Sequence, residues 1–336
     1  MPNLAVIDEL TRLKKDIKIL YIGSTNGVSK SLVSKYGIKF KGVYCGKFRR
    51  YFSLQNFIDI FKVPIGIIQA YKALRSFKAD IVFSKGGYVS LPVVLAAAKL
   101  KIPVVLHESD VVPGLANKIM AKFSKKICIS FEETKKYFNK YYKKIIFTGN
   151  PVRTSILKGS TAKGLKFTGF NKNKPVILVI GGSQGARQIN NLVRASLDEL
   201  LKKFQIVHIR GKGNLDISIK KKGYKQFEYL NEEMKDVYAI ADLIISRGGA
   251  NSLAEIANLK KKAVIIPLGT SASRGDQIEN AKVFANKIGW SILSGDIKLE
   301  DFVSTVKLAH KNSINKNFEI VNAARPISEL ILKIVK

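Results

Sequence analysis

Paired glycines stand at three points of this sequence where an apolar run gives way to a stretch with helical periodicity. The three turns are SKGGYVS (84–90), GGSQGAR (181–187) and SRGGANS (246–252). Free backbone amides at the start of a helix bind anions, and glycine lets a phosphate approach those amides closely. In open parallel sheets such turns meet at the carboxyl ends of the strands, where ligands bind. Each pair alone could be purely structural, but three at equivalent positions predict a site for phosphate groups.

Glu255 follows the third glycine turn on the same predicted helix, about two helical turns further on. A carboxylate there could accept hydrogen bonds from the 2′- and 3′-hydroxyls of a ribose while the start of the helix faces a diphosphate. On periodicity alone, Glu255 could equally be a solvated helix residue. No turn has the G-x-x-x-x-G-K-[ST] spacing of an ATPase, and GGSQGA fits the dinucleotide pattern G-x-G-x-x-G poorly. Both of those classes are therefore disfavoured.

The elements that must position these turns are short β-rich runs alternating with longer helical patterns. The runs are continuous in valine and isoleucine, which is typical of parallel strands covered on both faces. The sequence therefore predicts an α/β chain with two parallel sheets in series. The predicted strands are 17–23, 79–87, 102–108, 125–130 and 144–151 in the first sheet, and 174–183, 204–211, 241–249 and 262–269 in the second.

The segment 151–175 is rich in lysine and glycine and has little periodicity, which predicts an interdomain linker region. We expect an N-terminal domain over 1–152 and a C-terminal domain over 153–318. Residues 319–336 are expected to form a terminal amphipathic helix that could pack back on the first domain. Pro326 falls where a first helical turn tolerates proline.

Composition narrows the function classes further. A chain of 336 residues suits two domains, and no apolar run approaches the ~20 residues of a membrane span. The N-terminus does not resemble a secretory signal, which predicts a cytoplasmic location. Cys45 and Cys128 lie far apart, which disfavours both a disulfide framework and a metal site. The net charge of +33 is spread along the chain, mostly as lysine, so it favours phosphate groups in general over specific nucleic-acid binding.

Five stretches together resemble the MurG family, in the same order and at similar spacing over nearly the whole chain. These are GGYVSLPVVLAAAKLKIPVVLHESD (86–110), TGNPVR (148–153), GGSQGARQIN (181–190), SRGGANSLAEIA (246–257) and DQIENA (276–281). The resemblance implies a GT-B fold, with two Rossmann-like parallel-sheet domains facing a cleft. It also implies inverting transfer of GlcNAc from UDP-GlcNAc to the 4-hydroxyl of undecaprenyl-pyrophosphoryl-MurNAc-pentapeptide, which converts lipid I to lipid II in peptidoglycan synthesis. A related transferase acting on another lipid, such as a diacylglycerol, and a non-catalytic protein that binds a UDP-sugar are the alternatives.

The resemblance assigns site residues to both domains. Those implied to bind UDP-GlcNAc are Arg153, Gly182, Ser183, Gln184, Gly185, Asn190, Gly248, Gly249, Glu255 and Gln277, with Glu255 on the ribose. Those implied to bind the acceptor are Gly86, Gly87, Tyr88, His107 and Lys122, with Glu108 and Asp110 beside them. The family often carries asparagine where this chain has Asp110. Neither a cofactor nor a metal is expected, because helix N-termini and cations can stabilise the departing diphosphate.

Members of this family open with a strand, a glycine-rich turn ending in histidine, and a helix. Met1 and Pro2 align with the first residues of that helix. We therefore expect the first strand, its turn and the histidine general base to be lacking. The leading explanation is a sequence that starts at an internal methionine, because a sheet without this central strand would keep unpaired backbone groups on the neighbouring strands. Donor binding should survive in such a chain, whereas loss of a general base removes about 10²- to 10⁴-fold of the rate. Asp110 or Glu108 could serve as a substitute base.

The segment 47–78 combines cations with an apolar stripe. Lys47, Arg49 and Arg50 precede four apolar residues at helical spacing, which are Phe57, Phe61, Ile65 and Ile68. Such a pairing is typical of a peripheral surface that docks on anionic lipid. The stripe could also pack on the sheet as core. The resemblance favours the membrane, since the family's acceptor is anchored in the bilayer, and it places the protein on the cytoplasmic face of the cell membrane.

Overall fold

The chain forms two compact units. A computed structural model describes residues 2–25, 29–34, 36–46, 54–182, 185–269, 275–318 and 322–335, and the side chains of 29, 31, 32 and 54–61 lie outside that description. The first unit comprises Met1–Pro151 together with Val321–Lys336, and the second comprises Val152–Ile320. The C-terminal helix therefore belongs to the first unit, although 169 residues of sequence separate it from the rest of that unit (320 − 151).

The first unit alternates strands with helices. Its helices are α1 (Pro2–Leu13), α2 (Ser29–Ser34), α3 (Leu54–Phe77), α4 (Leu91–Lys99), α5 (Leu115–Phe123) and the C-terminal α13 (Ala324–Val335), with a 3₁₀ segment over Glu132–Lys144. Its strands are β1 (Leu20–Ser24), β2 (Lys39–Val43), β3 (Val82–Ser84), β4 (Val104–Glu108), β5 (Lys126–Ile129) and β6 (Ile145–Phe147). Pro2 and Pro326 both lie in a first helical turn, where the missing amide hydrogen costs nothing.

The described strands of the first unit form two parallel sheets. One contains β1 and β2, and the other has the order β3-β4-β5-β6. The expectation of a single sheet in this unit is therefore wrong. Among the described strands, β1 is hydrogen-bonded to β2 and β3 to β4, so that each ends its own sheet.

Both faces of the four-stranded sheet are covered, as the continuous apolar runs predict. Val104 and Leu106 of β4 face a buried cluster that includes Leu74 of α3 and Val93 of α4. Val105, between them in sequence, faces the opposite cluster, because successive strand residues point to opposite faces. That second cluster is formed with α1 and α13 and includes Val6, Leu10, Cys128, Ile327 and Ile331.

The second unit contains one parallel sheet with the order β12-β11-β10-β7-β8-β9. Its strands are β7 (Val176–Ile180), β8 (Gln205–Ile209), β9 (Tyr224–Phe227), β10 (Ala241–Ser246), β11 (Lys262–Ile265) and β12 (Ser291–Ile292). Its helices are α6 (Thr161–Thr168), α7 (Arg187–Ala195), α8 (Leu197–Leu201), α9 (Met234–Ile240), α10 (Ala250–Asn258), α11 (Asp276–Ile288) and α12 (Leu299–Lys311). All nine strands predicted from the sequence are present in the two units, in shorter form.

The predicted linker over 151–175 is largely structured, which corrects that expectation. It contains a 3₁₀ segment (Thr154–Lys158) and α6, which packs on α9. The packing is close, because a methyl group on Gly159 would lie 2.0 Å from the Lys235 carbonyl oxygen. The Ser160 amide also donates to an Asp236 carboxylate oxygen at 2.7 Å. Glycine in this segment thus allows two backbones to approach closely.

Candidate functional site

The glycine turn after β3 is held in shape by a buried asparagine. Gly86 and Gly87 have φ of 84° and 82°, in the left-handed region that favours glycine. The Gly87 amide donates to Asn117 Oδ1 at 2.9 Å, and a methyl group on Gly86 would lie 2.3 Å from Asn117 Nδ2. Both glycines are therefore required by the backbone and, at Gly86, also by packing. Tyr88 follows them and is exposed.

Asn117 also connects the turn to Glu108, the last residue of β4. Asn117 Nδ2 donates to Glu108 Oε2 at 2.6 Å, and the Asp110 amide donates to Glu108 Oε1 at 2.9 Å. Burial raises the pKa of Glu108 to about 7. Both carboxylate oxygens are thus used inside the protein. Asp110 is partly exposed and lies at the carboxyl end of the same strand.

Lys85 immediately precedes the turn and joins three segments of the first unit. Its ammonium donates to His107 Nδ1 at 2.9 Å, to Asn150 Oδ1 at 2.8 Å and to the Ser109 hydroxyl. Burial lowers the pKa of Lys85 to about 7, against the attraction of nearby carboxylates. Lys85 is therefore a rigidly held amine at the carboxyl ends of β3 and β4.

His107 is fully buried, with both ring nitrogens engaged by the protein. Nε2 lies 2.9 Å from the Gly149 carbonyl oxygen, so this nitrogen carries the proton and Nδ1 accepts from Lys85. Burial and the positive charge of Lys85 hold the pKa of His107 well below its usual range. His107, predicted as a direct acceptor contact, can thus act on a ligand only through Lys85. Lys122, also predicted, is exposed further along α5, with its Nζ 5.9 Å from the Phe123 ring centroid.

In the second unit, the glycine turn after β7 is backed by Asn190 of α7. Asn190 Nδ2 donates to the Arg210 carbonyl oxygen at 3.1 Å, and a methyl group on Gly185 would lie 2.1 Å from that same oxygen. Asn190 Oδ1 accepts from His208 Nε2 at 3.0 Å. Asn190 therefore supports the turn from behind. Gly182 is exposed at its start, and the predicted contacts Ser183 and Gln184 lie outside the described residues.

The third glycine turn leads from β10 into α10. Gly248 is packed against α11, because a methyl group there would lie 2.3 Å from the Gln277 carbonyl oxygen. Asn280 Nδ2 donates to the Gly248 carbonyl oxygen at 3.2 Å, and the Gln277 side chain accepts from the Leu268 amide at 3.1 Å. Gly249 is the N-cap of α10, and a methyl group on it would meet no atom of the described residues within 4 Å. The described residues therefore leave room beside Gly249 at the start of α10.

Glu255 is a half-buried residue of α10. Its Oε2 accepts a hydrogen bond from the Tyr238 hydroxyl at 3.2 Å. Burial raises the pKa of Glu255, while Tyr238 and the charge of Arg153 oppose that rise. The guanidinium of Arg153 has a buried Nε that makes no hydrogen bond to any described residue. The positive charge of Arg153 therefore acts on the Glu255 carboxylate.

Three polar residues of these sites were not predicted from the sequence. Lys85 and Asn117 hold the first turn, as described above. Arg247 precedes the third turn, and its Nη1 donates to Gln188 Oε1 at 2.9 Å and to the Ile266 carbonyl oxygen at 3.0 Å. A polar residue at a core-facing helix position was the available signal for Asn117. For the other two, the partners are distant in sequence and no local pattern indicates them.

Two known domain descriptions match the two parts of this chain. The description "Glycosyltransferase family 28 N-terminal domain" fits residues 1–129, and "Glycosyltransferase family 28 C-terminal domain" fits residues 176–327. A protein of Bacillus cereus is 48% identical to this chain, over 96% of this chain and 90% of its own length. It is named UDP-N-acetylglucosamine–N-acetylmuramyl-(pentapeptide) pyrophosphoryl-undecaprenol N-acetylglucosamine transferase 2. The chain belongs to the MurG family of glycosyltransferase family 28. A Clostridium botulinum member with the same transferase name is 46% identical over 100% of this chain and 96% of its own length.

The fold of the MurG family is confirmed by a solved structure. The MurG of Acinetobacter baumannii superposes with a TM-score of 0.71 over 99% of this chain and 95% of its own, at 24% identity. The predicted class, α/β with two parallel-sheet domains of the GT-B type, is therefore correct. In the described ranges no helix has the length and apolarity to cross a bilayer. Nor do those ranges bring three His, Cys, Asp or Glu side chains together as a metal site.

Proposed function

We propose that this chain transfers GlcNAc from UDP-GlcNAc to the 4-hydroxyl of lipid-linked MurNAc-pentapeptide, with inversion at the sugar carbon C1. The observation that carries the proposal is the 46–48% identity, over nearly the whole chain, to family members named for this reaction. The geometry supports it, because each unit presents a glycine turn at the carboxyl end of its sheet. Such turns suit the diphosphate of the donor in the second unit and the pyrophosphate of the acceptor in the first.

In the donor half of the reaction, the open start of α10 at Gly249 would receive the diphosphate. Departure of UDP places negative charge on that group, and the positive end of a helix dipole stabilises it. Glu255, further along the same helix, would accept hydrogen bonds from the ribose diol. Arg153 would add positive charge near the nucleotide, and Gln277 is held beside the same turn through the Leu268 amide.

In the acceptor half, the Gly86–Gly87 turn would bind the pyrophosphate, with Lys85 adding positive charge. A general base must take the proton of the attacking hydroxyl. Of the two carboxylates proposed for this role, Asp110 is partly exposed, whereas Glu108 is buried with both oxygens engaged. We therefore assign the base role to Asp110 and a supporting role to Glu108.

The reaction itself is the first test. The purified chain is incubated with labelled UDP-GlcNAc and a lipid I analogue in anionic vesicles, while donor binding is followed by calorimetry. We expect one UDP released for each β-linked GlcNAc added to the lipid. Donor binding without any transfer would instead support a non-catalytic UDP-sugar-binding protein. Labelling of diacylglycerol and not of the lipid I analogue would support the related transferase.

We also propose that the first unit docks on the anionic cytoplasmic face of the membrane. Ile65 and Ile68 of α3 are 48% and 57% exposed and lie three residues apart on one helix face. They are therefore not core, whereas Ala70 and Leu74 further along the helix are buried. The side chains of Phe57 and Phe61, and the cations Lys47, Arg49 and Arg50, lie outside the described residues.

The double substitution Ile65→Ser with Ile68→Ser should weaken binding to anionic vesicles about tenfold, because two apolar side chains no longer enter the lipid boundary. Vesicle sedimentation measures the effect, and calorimetry should show unchanged UDP-GlcNAc affinity. A matched control is Leu215→Ser with Ile217→Ser, which removes two exposed apolar residues of the second unit. Equal losses of vesicle binding in both double variants would contradict docking through α3.

A further inference from the structure

Lys85 makes three hydrogen bonds, which is the number of hydrogens that its ammonium carries. The acceptors are His107 Nδ1 at 2.9 Å, Asn150 Oδ1 at 2.8 Å and the Ser109 hydroxyl oxygen. His107 Nδ1 accepts because the other ring nitrogen donates to the Gly149 carbonyl oxygen. No hydrogen of the ammonium therefore remains for a ligand. Lys85 can act on a ligand only by its charge or through these three partners.

The Ser109 hydroxyl, by contrast, keeps a hydrogen to donate. A lysine ammonium only donates, so Ser109 Oγ is the acceptor in this pair and its own hydrogen is not used there. That hydrogen has no acceptor among the residues that the structure describes. Ser109 is partly exposed, so a ligand can reach the hydroxyl. Because its oxygen accepts from a cation, the hydroxyl is polarised and becomes a stronger donor.

Strand pairing places this hydroxyl near the first glycine turn. β3 and β4 are parallel neighbours, and their register brings the two carboxyl ends together. Lys85 directly follows β3 and Ser109 directly follows β4, so their hydrogen bond connects the two strand ends. Gly86 and Gly87 come immediately after Lys85. The Ser109 hydroxyl therefore lies at the same edge of the sheet as the turn proposed above for the acceptor pyrophosphate.

A negatively charged oxygen suits this hydroxyl better than a neutral sugar hydroxyl. Lys85 supplies a positive charge one hydrogen bond away, and hydrogen bonds to ionised acceptors are the stronger ones. Glu108 precedes Ser109 in sequence but is buried, and its two carboxylate oxygens accept from Asn117 Nδ2 and the Asp110 amide. Glu108 is thus engaged within the protein and leaves the Ser109 hydroxyl to a ligand.

We propose that Ser109 donates a hydrogen bond to a phosphate oxygen of the lipid-linked acceptor, and that Lys85 is the positioning residue that holds this hydroxyl in place. His107 and Asn150 fix the ammonium, and the ammonium fixes the oxygen of Ser109. The proposal rests on the transferase function proposed above and adds to it a side chain that recognises the acceptor. A residue without a hydroxyl at position 109 would lose the contact, whereas threonine would keep it.

The test measures kcat and KM of purified variants with labelled UDP-GlcNAc and a lipid I analogue. Ser109→Ala should raise the KM for the lipid about tenfold, because a hydrogen bond to a charged oxygen is lost. Its kcat should stay within about twofold of wild type, with unchanged UDP-GlcNAc affinity. Ser109→Thr should restore the KM. Ser130→Ala is the matched control, since the Ser130 hydroxyl already donates to the Glu108 carbonyl oxygen at 3.0 Å, and its KM should equal that of wild type.

Two further comparisons isolate the phosphate contact and the part of Lys85 in it. A methyl glycoside of MurNAc-pentapeptide lacks the pyrophosphate, so wild type and Ser109→Ala should use it equally well. Lys85→Met should also raise the KM for the lipid, and in that background Ser109→Ala should add less than about twofold, because the hydroxyl is no longer held. Melting temperatures show whether each variant is folded. The Ser109 variants decide by themselves if Lys85→Met is unfolded.

The outcomes separate this proposal from the transferase function. Wild-type transfer together with an unchanged KM in Ser109→Ala overturns the proposal and leaves the transferase function standing. Equal losses with the lipid and with the methyl glycoside do the same, as does a folded Ser109→Thr protein as impaired as Ser109→Ala. A wild-type chain that transfers GlcNAc to neither acceptor contradicts the transferase function, and this proposal with it.

Discussion

Replacing Glu255 by alanine is expected to lower the affinity for UDP-GlcNAc about 100-fold, because the hydrogen bonds proposed from two ribose hydroxyls to the charged carboxylate would be lost. Glu255→Gln keeps one acceptor oxygen and should lose about tenfold. Titration calorimetry with UDP-GlcNAc and with UDP measures both values. The same loss is expected for UDP, since the ribose is common to the two ligands.

Glu279→Ala is the matched control for this prediction. Glu279 is an exposed helix residue of the same unit, paired with Lys282 at 2.9 Å. Its loss should leave donor affinity unchanged. Melting temperatures of both variants separate a binding effect from unfolding. Wild-type affinity in a folded Glu255→Ala protein would show that the ribose does not bind here.

The pH dependence of donor binding follows from the same carboxylate. Only an ionised Glu255 would accept both of the proposed hydrogen bonds, and burial raises its pKa above the ordinary value. Acidification should therefore weaken UDP binding at a higher pH than for an ordinary glutamate. The Tyr238 hydroxyl lowers this pKa by its hydrogen bond. Tyr238→Phe should thus move the pH at which UDP binding is half lost to a higher value. An unchanged pH midpoint would mean that another group causes the loss of binding in acid.

Every interior strand of the sheets could be predicted from the sequence, and so could the end strands β1, β3 and β6. β4 and β10 are covered on both faces, and their continuous apolar runs are visible without any tertiary knowledge. β2, β9 and β12 were not predicted, and each lies at the end of a sheet. These three strands are partly exposed, and they are short or contain lysine, so hydrophobic periodicity carries little signal for them.

In the candidate site, too, features set by neighbouring residues could be predicted from the sequence, whereas contacts between distant residues could not. Turn residues such as Gly86 and Gly248 stand at strand ends that the sequence reveals. Lys85, by contrast, is fixed by Asn150, 65 positions along the chain. A hydrogen bond over that separation follows from the order of strands in the sheet, which one sequence does not specify. For the same reason, the sequence did not show that His107 is buried behind Lys85.

Substitutions of the two glycines before α10 distinguish an effect on protein stability from an effect on donor binding. Gly249 has φ of −71°, which any residue adopts, and a methyl group there meets no atom within 4 Å in the part of the chain that the structure describes. Gly248 is different, because a methyl group would lie 2.3 Å from the Gln277 carbonyl oxygen. Gly248→Ala should therefore lower the free energy of unfolding by about 1–3 kcal/mol and weaken donor binding through displacement of the turn.

Gly249→Ala should leave the free energy of unfolding within about 0.5 kcal/mol of wild type, because neither conformation nor packing requires glycine at this position. If the open space above Gly249 receives the diphosphate, however, the methyl group holds the phosphates away from the first amides of α10. UDP-GlcNAc affinity should then fall about tenfold or more, whereas uridine, which has no phosphate, should lose nothing. Chemical denaturation and calorimetry give the two quantities for each variant. A Gly249→Ala protein that binds UDP-GlcNAc as tightly as wild type would place the diphosphate elsewhere, and the glycine at 249 would then have no role in donor binding.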